Sequence, residues 1–397
     1  MRTALRLGID ATCLASRRGY GRFLRELLPP LLDAGASHDW VLFIDRESAA
    51  QVEPFAVRTV EPVTSRSQAA AASGRGNRSL RDLWTMGRAV AREGRDGMFF
   101  PSVYSYFPVP RAVATVVAFH DAIPERHGNL VFPTARNRWL WKAKVTLARR
   151  QARALLTVSD WSRRALAEHF RLPPERIFVA PEAPSAVFEP VTDPAPCWAW
   201  LRKHGLPEDA RYLIYVGGFN PHKNLETLVA ALASVVGRDA GCDLHLLLVG
   251  DHEGDVFHAD VPALRRRIAA SDLAGRVHLT GFVPDDELRH LYAGAVCLVL
   301  PSLEEGFGLP AVEAAACGTP CIATRNSPLP ELLEGGGIFV DPTDRAALER
   351  ALEALLGSRA LRERLGTVAR ARAASLSWQR TAQCTLEAIE VACRGST

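Results

Sequence analysis

The chain has 397 residues, of which 48% are apolar and 23% charged, with a formal net charge of +4. That is an ordinary folded profile, and the absence of any run of about 18 apolar residues excludes a spanning helix. The length is more than one core usually fills, so two domains are expected.

The net charge hides an asymmetry. Residues 1–200 carry 28 Lys and Arg against 19 Asp and Glu, whereas residues 201–397 carry 20 against 25. The basic half is the one to meet an acidic partner such as a phospholipid surface or a lipid-phosphate acceptor; a solvated Arg-rich face is the plainer alternative. The eight cysteines (13, 197, 242, 297, 317, 321, 384 and 393) form no C-x-x-C pair. Several lie in apolar runs, which favours reduced, buried thiols over a disulfide framework. The N-terminal Met1-Arg-Thr-Ala-Leu-Arg lacks a signal-peptide pattern, so a cytoplasmic protein is expected, with peripheral contact on the inner membrane face as an option.

Leu5–Ile9 reads as a first strand, followed by Asp10 and Thr12 and a loop from Ser16 to Arg22. Within it Gly19-Tyr20-Gly21 would let a ligand approach the backbone. No G-x-G-x-x-G is present, which disfavours a dinucleotide enzyme. A helix over Phe23–Leu32 and a strand over Trp40–Ile44 follow. Residues 64–79 have no apolar period and read as a mobile basic loop. A helix over Leu80–Arg92 and a strand over Met98–Phe100 lead to Ala112–Phe119, a run apolar enough for a buried parallel strand. It ends in His120-Asp121, where strand ends in open α/β sheets hold ligands. Thr134–Ala152 reads as a basic helix, suited either to an anionic membrane surface or to packing on the sheet with snorkelling cations. Ala154–Val158 and Ile177–Ala180 are strands, and Ser159 begins a capping sequence. The Pro-rich residues 181–196 read as a linker.

The pattern then restarts. Tyr212–Val216 is a strand, followed by Gly217-Gly218-Phe-Asn220-Pro-His222-Lys223-Asn224 and a helix over Leu225–Val236. Strands at Leu244–Val249 and Val277–Thr280 follow, the second leading into Phe282-Val283. Next comes the most informative stretch: an apolar run to Leu300, then Glu305-Gly306-Phe307-Gly308-Leu309-Pro310, then an Ala-rich helix holding Glu313 in its first turn and closed by Gly318. Pro suits the start of a helix and Gly its end. The N–H groups of Gly306–Leu309 would thus form an anion site. Glu305 and Glu313 flank it and can accept hydrogen bonds from ligand hydroxyls. Phosphate plus hydroxyls suggests a nucleotide sugar. A strand at Gly337–Val340 and three helices end the chain. Strands alternating with helices mean two parallel sheets.

These residues resemble the retaining glycosyltransferases of family 4, whose GT-B fold has two facing Rossmann-like domains with a cleft between them. The resemblance covers nearly the whole chain. Its most specific piece is Glu305-Gly-Phe-Gly-Leu-Pro-Ala-Val-Glu313, which looks like the family's E-x7-E motif. Gly217-Gly218…Lys223-Asn224 resembles the donor diphosphate loop, and His120-Asp121 the His-Asp segment of the first domain. The resemblance implies an N-terminal acceptor domain over 1–190, a donor domain over 191–375 and a C-terminal helix over 376–397 crossing back. It implies that Glu305 binds sugar hydroxyls, Glu313 the ribose, Gly306–Leu309 the sugar and diphosphate, and Lys223 the leaving diphosphate. Gly218 and Asn220 belong to the diphosphate loop, Phe282 and Val283 meet the base, and Gly19 and Gly21 line the cleft. His120 contacts the donor sugar or the reacting centre, while Tyr20, Arg22 and Asp121 are acceptor-side candidates. The usual Arg of the diphosphate loop is missing; His222, Arg163 or Arg22 could stand in for it. The expected partners are a nucleotide sugar and a glycan or lipid-linked acceptor, with no cofactor, no metal and no nucleic acid. The best-matching chemistry is transfer of mannose from GDP-mannose with retention. A UDP-sugar donor and a nucleotide-sugar 2-epimerase are the alternatives.

Overall fold

The computed structural model describes residues 4–64, 79–238, 243–251, 261–271 and 273–395. The basic stretch read at 64–79 lies outside these but for its two ends, as do Cys242, His252 and His258. Two compact units result: Met1–Gly128, Phe132–Glu182 and Ser377–Thr397 form one, and Asn129–Val131 with Ala183–Leu376 the other. Among the described residues no helix is long and apolar enough to cross a membrane.

The first unit holds strands β1 (Arg6–Asp10), β2 (Asp39–Phe43), β3 (Arg58–Val60), β4 (Gly97–Phe100), β5 (Ala114–Ala118), β6 (Ala154–Thr157) and β7 (Ile177–Val179). They pair in parallel in the order β3-β2-β1-β4-β5-β6-β7. Its longer helices are α1 (Gly19–Ala34), α2 (Leu80–Glu93), α3 (Ala135–Gln151) and α4 (Asp160–Phe170). A parallel sheet covered on both faces needs near-continuous apolar strands; β5 is buried at all five positions. Side-chain oxygens of Ser79, Thr134 and Ser159 cap α2, α3 and α4 by accepting an N–H from the first turn. Met86 and Val90 of α2, Val145 and Ala148 of α3 and Leu166 of α4 share one core cluster with Phe100, Val117 and Leu155 of the sheet.

The second unit is a six-stranded sheet of β8 (Arg211–Val216), β9 (Leu244–Val249), β10 (Val277–Gly281), β11 (Cys297–Leu300), β12 (Cys321–Thr324) and β13 (Gly337–Val340). All pairs are parallel, in the order β10-β9-β8-β11-β12-β13. Its longer helices are α5 (Ala195–Lys203), α6 (Leu225–Val236), α7 (Val261–Ala269), α8 (Asp285–Gly294), α9 (Leu309–Ala316), α10 (Arg345–Gly357) and α11 (Arg359–Ala373). The last helix, α12 (Trp378–Arg394), packs on α1 and on β4–β7 of the first unit. Gly97 makes room for it, since a Cβ there would sit 2.7 Å from Cys393 Sγ. Trp378 sets its ring edge-on to Phe23 at 5.9 Å.

Three local expectations change. The Gly19-Tyr20-Gly21-Arg22 stretch read as loop is the first turn of α1, because Phe23, Leu24 and Leu27 continue one buried face back through Tyr20. The linker stretch ends in a helix at Ala195, where Pro194 and Pro196 suit a first turn. Glu313 lies in the second turn of α9, not the first.

Ile389 on α12 is 2% exposed. Ile389→Ala should destabilise the chain by about 2–5 kcal/mol through lost burial and a residual cavity. A urea titration measures it, and an unchanged midpoint would mean that α12 is not part of that core.

Candidate active site

Both sheets carry the strand order 3-2-1-4, in which successive crossovers run one way from the first strand and then the other. The loops after the first and fourth strands therefore diverge and leave a crevice at their carboxyl ends. In the second unit those are the loops after β8 and β11. Lys223 lies on the first and Glu305 on the second, far apart in sequence. Lys223 Nζ donates to Glu305 Oε1 at 2.8 Å, and Ser302 Oγ donates to the same oxygen at 2.5 Å. Both side chains are largely buried, at 19% and 11% exposure. Such a charge-assisted bond is shorter and stronger than a neutral one.

The fold fixes both partners through Asn224. Its φ of +58° is the left-handed turn that short polar side chains tolerate. Its Nδ2 donates to the carbonyls of Pro301 (3.0 Å) and Pro342 (2.9 Å), and its Oδ1 accepts from Thr227 (2.7 Å). One amide thus ties the loops after β8, β11 and β13. Leu303 N donates to His222 O at 2.8 Å, and Glu305 N to Asn326 O at 3.1 Å. Gly308, at φ +86°, turns the chain into α9, and a Cβ there would strike Leu329 at 2.7 Å. The backbone of Gly306–Leu309 leads directly into that helix, whose positive end suits an anion.

In the first unit the corresponding loops follow β1 and β4. A Cβ on Gly21 would lie 2.1 Å from Ser16 O, so Gly lets the loop after β1 fold back onto α1. His120, after β5, stands against this crevice. Its Nε2 donates to Pro101 O at 2.9 Å, and its Nδ1 faces Glu182 Oε1 at 3.4 Å. Phe23 meets its ring edge-on at 4.7 Å. Burial pulls the His120 pKa down, but the Glu182 hydrogen bond and charge, the Pro101 carbonyl and Asp121 outweigh it, and the net shift is upward. Nearby, burial and Asp121 push Glu125 up to about 7 against the opposing Trp141 indole N–H.

The family described as glycosyl transferases group 1 matches residues 198–372, and that described as Glycosyltransferase Family 4 matches residues 17–183. The O-antigen chain mannosyltransferase B of Escherichia coli is 31% identical over 314 residues, 78% of this chain and 76% of the relative. The chain belongs to glycosyltransferase family 4. A D-inositol 3-phosphate glycosyltransferase of Corynebacterium efficiens is 33% identical over 221 residues, 55% of this chain and 51% of that one. Among solved structures, sucrose-phosphate synthase of Thermosynechococcus elongatus superposes with a TM-score of 0.72 at 21% identity, covering 97% and 98% of the two chains. WaaG, a glycosyltransferase involved in lipopolysaccharide biosynthesis, gives 0.71 at 16%, covering 96% and 99%. These two likenesses establish the GT-B fold.

The expected site residues of this glycosyltransferase fall into two groups. In the second unit Lys223, Glu305, Gly306, Phe307, Gly308 and Leu309 gather at the β8–β11 crevice with Gly218 and Asn220. Phe282 is half exposed after β10, while Val283 is buried. Glu313 is fully buried and accepts from Tyr292 OH at 3.2 Å. His222 is also buried. In the first unit, Asp121 Oδ1 accepts from Ile123 N at 2.8 Å, which closes the turn after β5. Tyr20 stacks on Tyr104 at 5.5 Å. Gly19 has open space above its Cα among the described residues. Arg22 is half-buried on α1. Arg163 is held by Asp160 at 2.6 Å. Sequence reasoning passed over Glu182, which lies in a stretch read as linker, and over Ser302, three residues before Glu305.

The sign of the His120 shift sets a pH dependence. A raised folded pKa means the His120–Glu182 contribution is complete below the ordinary value near 6.5 and fades as pH rises through the folded value. Glu182→Gln should lower the His120 pKa and flatten that part of the stability profile. Imidazole NMR titration together with urea unfolding from about pH 5 to 8 reads both. An unmoved His120 pKa would remove Glu182 from this role.

Proposed function

We propose that the chain is a retaining, metal-independent transferase that moves mannose from GDP-mannose onto a hydroxyl of a glycan or lipid-linked oligosaccharide during polysaccharide assembly. The observation that carries the donor half is the Lys223–Glu305 pair beside the α9 N-terminus, at the crevice of the second sheet. The mannosyltransferase relative supports the choice of sugar. The positive charge of the first half suits peripheral contact with the anionic face of a membrane.

In this reading the donor diphosphate competes for Lys223. Lys223 Nζ and the N–H groups of Gly306–Leu309 converge on the charge that grows as the sugar–phosphate bond breaks, which is electrostatic stabilisation aimed at the transition state. Glu305, released from Lys223, accepts hydrogen bonds from sugar hydroxyls while Ser302 holds its orientation. Glu313 reads the ribose by exchanging its Tyr292 partner. His120 turns its Nδ1–H, the longer of its two contacts, to the donor sugar. The acceptor hydroxyl attacks from the face the diphosphate leaves, and its proton passes to the departing phosphate oxygen. No carboxylate nucleophile is required, and the anomeric configuration is kept.

Thermal shift with GDP, UDP, ADP and their sugars tests the donor. A ligand at 100 times its Kd adds about 2.7 kcal/mol, and GDP-mannose should give the largest shift. A preference for UDP-sugars would replace the donor, and no shift at all would sink the reading. NMR of the product should show an α-mannoside formed at the same rate with EDTA, whereas isomerised nucleotide sugar without acceptor would mark an epimerase.

Lys223→Ala should lower kcat by about 10²-fold or more, the scale of losing one oxyanion donor. Single-turnover assays at saturating donor measure this, and an unchanged kcat would refute the assignment.

A further inference from the structure

The second sheet carries a cavity at the end opposite its crevice. Lys223 and Glu305 follow the carboxyl ends of β8 and β11, whereas the cavity is walled by Arg211 and Tyr212, which open β8, and by Val296, which precedes β11. The six residues of β8 separate the two ends by about 20 Å. The cavity encloses about 500 Å³, within the range of small-ligand sites. None of the donor or acceptor residues named above lines it.

Its floor is closely fitted. Tyr212 OH donates to Leu291 O at 2.7 Å and lies 3.3 Å from Cys197 Sγ. A Cβ on Gly294 would stand 2.6 Å from that hydroxyl and 2.7 Å from that sulfur, so Gly lets the end of α8 rest there. Trp198 of α5 forms a wall and is 44% exposed, while Trp200, two residues on, is buried. The Trp198 indole N–H has no hydrogen-bond partner among the described residues.

The polar wall carries both signs. Asp193, Glu208 and Asp209 are set against Arg211 and Arg362. Most are engaged: Glu208 with Arg202, Asp193 with Ala195 N at 2.9 Å, Arg211 with Leu356 O at 3.0 Å and Arg362 with Leu355 O at 2.6 Å. Asp209 has no hydrogen-bond or ion-pair partner among the described residues. His290 also lines the cavity, and its Nδ1 is buried without a hydrogen-bond partner there. Burial and Arg289 hold the His290 pKa below the usual histidine range against Asp193 and Asp286, so the ring is neutral near pH 7. A buried polar atom left unpaired costs free energy, and a ligand hydroxyl would remove that cost.

This chemistry selects a class of ligand. An anion would meet three carboxylates, and a cation two guanidinium groups. An apolar molecule would leave Asp209 and His290 Nδ1 unpaired. A pyranose satisfies them all: its C–H face packs on an aromatic ring, and its hydroxyls both donate and accept. One hydroxyl can therefore serve His290 Nδ1 in either tautomer, and another can donate to Asp209.

We propose that this cavity is a second, non-catalytic glycan site, which holds a hexose unit against Trp198 with Asp209 and His290 as its hydroxyl partners. The inference rests on the reading above that the chain acts on a glycan, but its test reads binding and not transfer.

The test is NMR of the full chain, labelled at Trp and His and titrated with α-linked mannotriose. Trp198→Phe identifies the Trp198 indole signal, and His290→Gln the His290 ring. Both signals should shift together and saturate. Asp209→Asn should weaken the affinity read at either signal by about tenfold, the scale of one hydrogen bond to a charged group. It should melt as the native chain does, because that carboxylate has no described partner. Trp198→Ala should weaken the affinity read at His290 by about tenfold through lost stacking. Signals that stay still with mannotriose, or that answer to inorganic phosphate or spermidine instead, would overturn the proposal, as would unchanged affinity in both variants. Normal mannose transfer with still signals would remove this site alone. Saturating shifts in a chain that transfers no sugar would overturn the transferase reading and leave the site standing.

Discussion

The strand order of the two sheets is the constraint on which everything else depends. Right-handed crossovers that leave the first strand in one direction and the fourth in the other must open a gap between their loops. In the second unit that gap receives a lysine from one loop and a glutamate from the other. The ion pair between them is therefore a product of topology. Neither loop alone could place its charge, because each owes its position to a strand held by neighbours on both sides.

Around that pair the polar groups are arranged by backbone more than by side chain. Asn224 holds three loops through two carbonyls, and Glu305 is anchored by its own N–H as well as by its carboxylate. Buried polar groups are costly when unpaired, so the bonds of Asn224 and of the Glu305 N–H hold the loops themselves in place. A preorganised set of donors needs little reorganisation when charge develops on a bound group, which is what transfer from a diphosphate requires. The first unit answers with another kind of pair: His120 held between a carbonyl and a carboxylate, in a site that favours its charged form.

The sequence was most legible where one residue type had one physical use. The apolar runs at Leu244–Val249 and Gly337–Val340 are strands to the residue, and Ser159 caps α4 as its position suggested. The stretch from Glu305 to Glu313 was legible as a loop opening a helix because Gly and Pro there are tied to backbone geometry. Legibility failed where partners are distant. Glu182 lies beside His120 only because β5 and the segment after β7 end at the same edge, and nothing in a Pro-rich stretch signals this. The turn at Gly19–Gly21 was misjudged because Gly disfavours helix interiors in isolation. Here a close backbone approach by Ser16 overrides the propensity. Glu313 falls one residue deeper, into the second turn, because the helix begins at Leu309, with Pro310 as its second residue.

The placement of α12 has a consequence for how the chain is made. Its residues complete the core of the first unit, yet they are synthesised only after the whole of the second unit. The roughly 190 residues that precede them take about 10–40 s to translate at ordinary elongation rates. Throughout that interval the first sheet lacks the helix that covers part of β4–β7, and by its end the second unit is complete in sequence. The nascent chain therefore matures out of order, its later-made half able to fold before its earlier-made half. In the interim the exposed apolar face is a natural target for a chaperone.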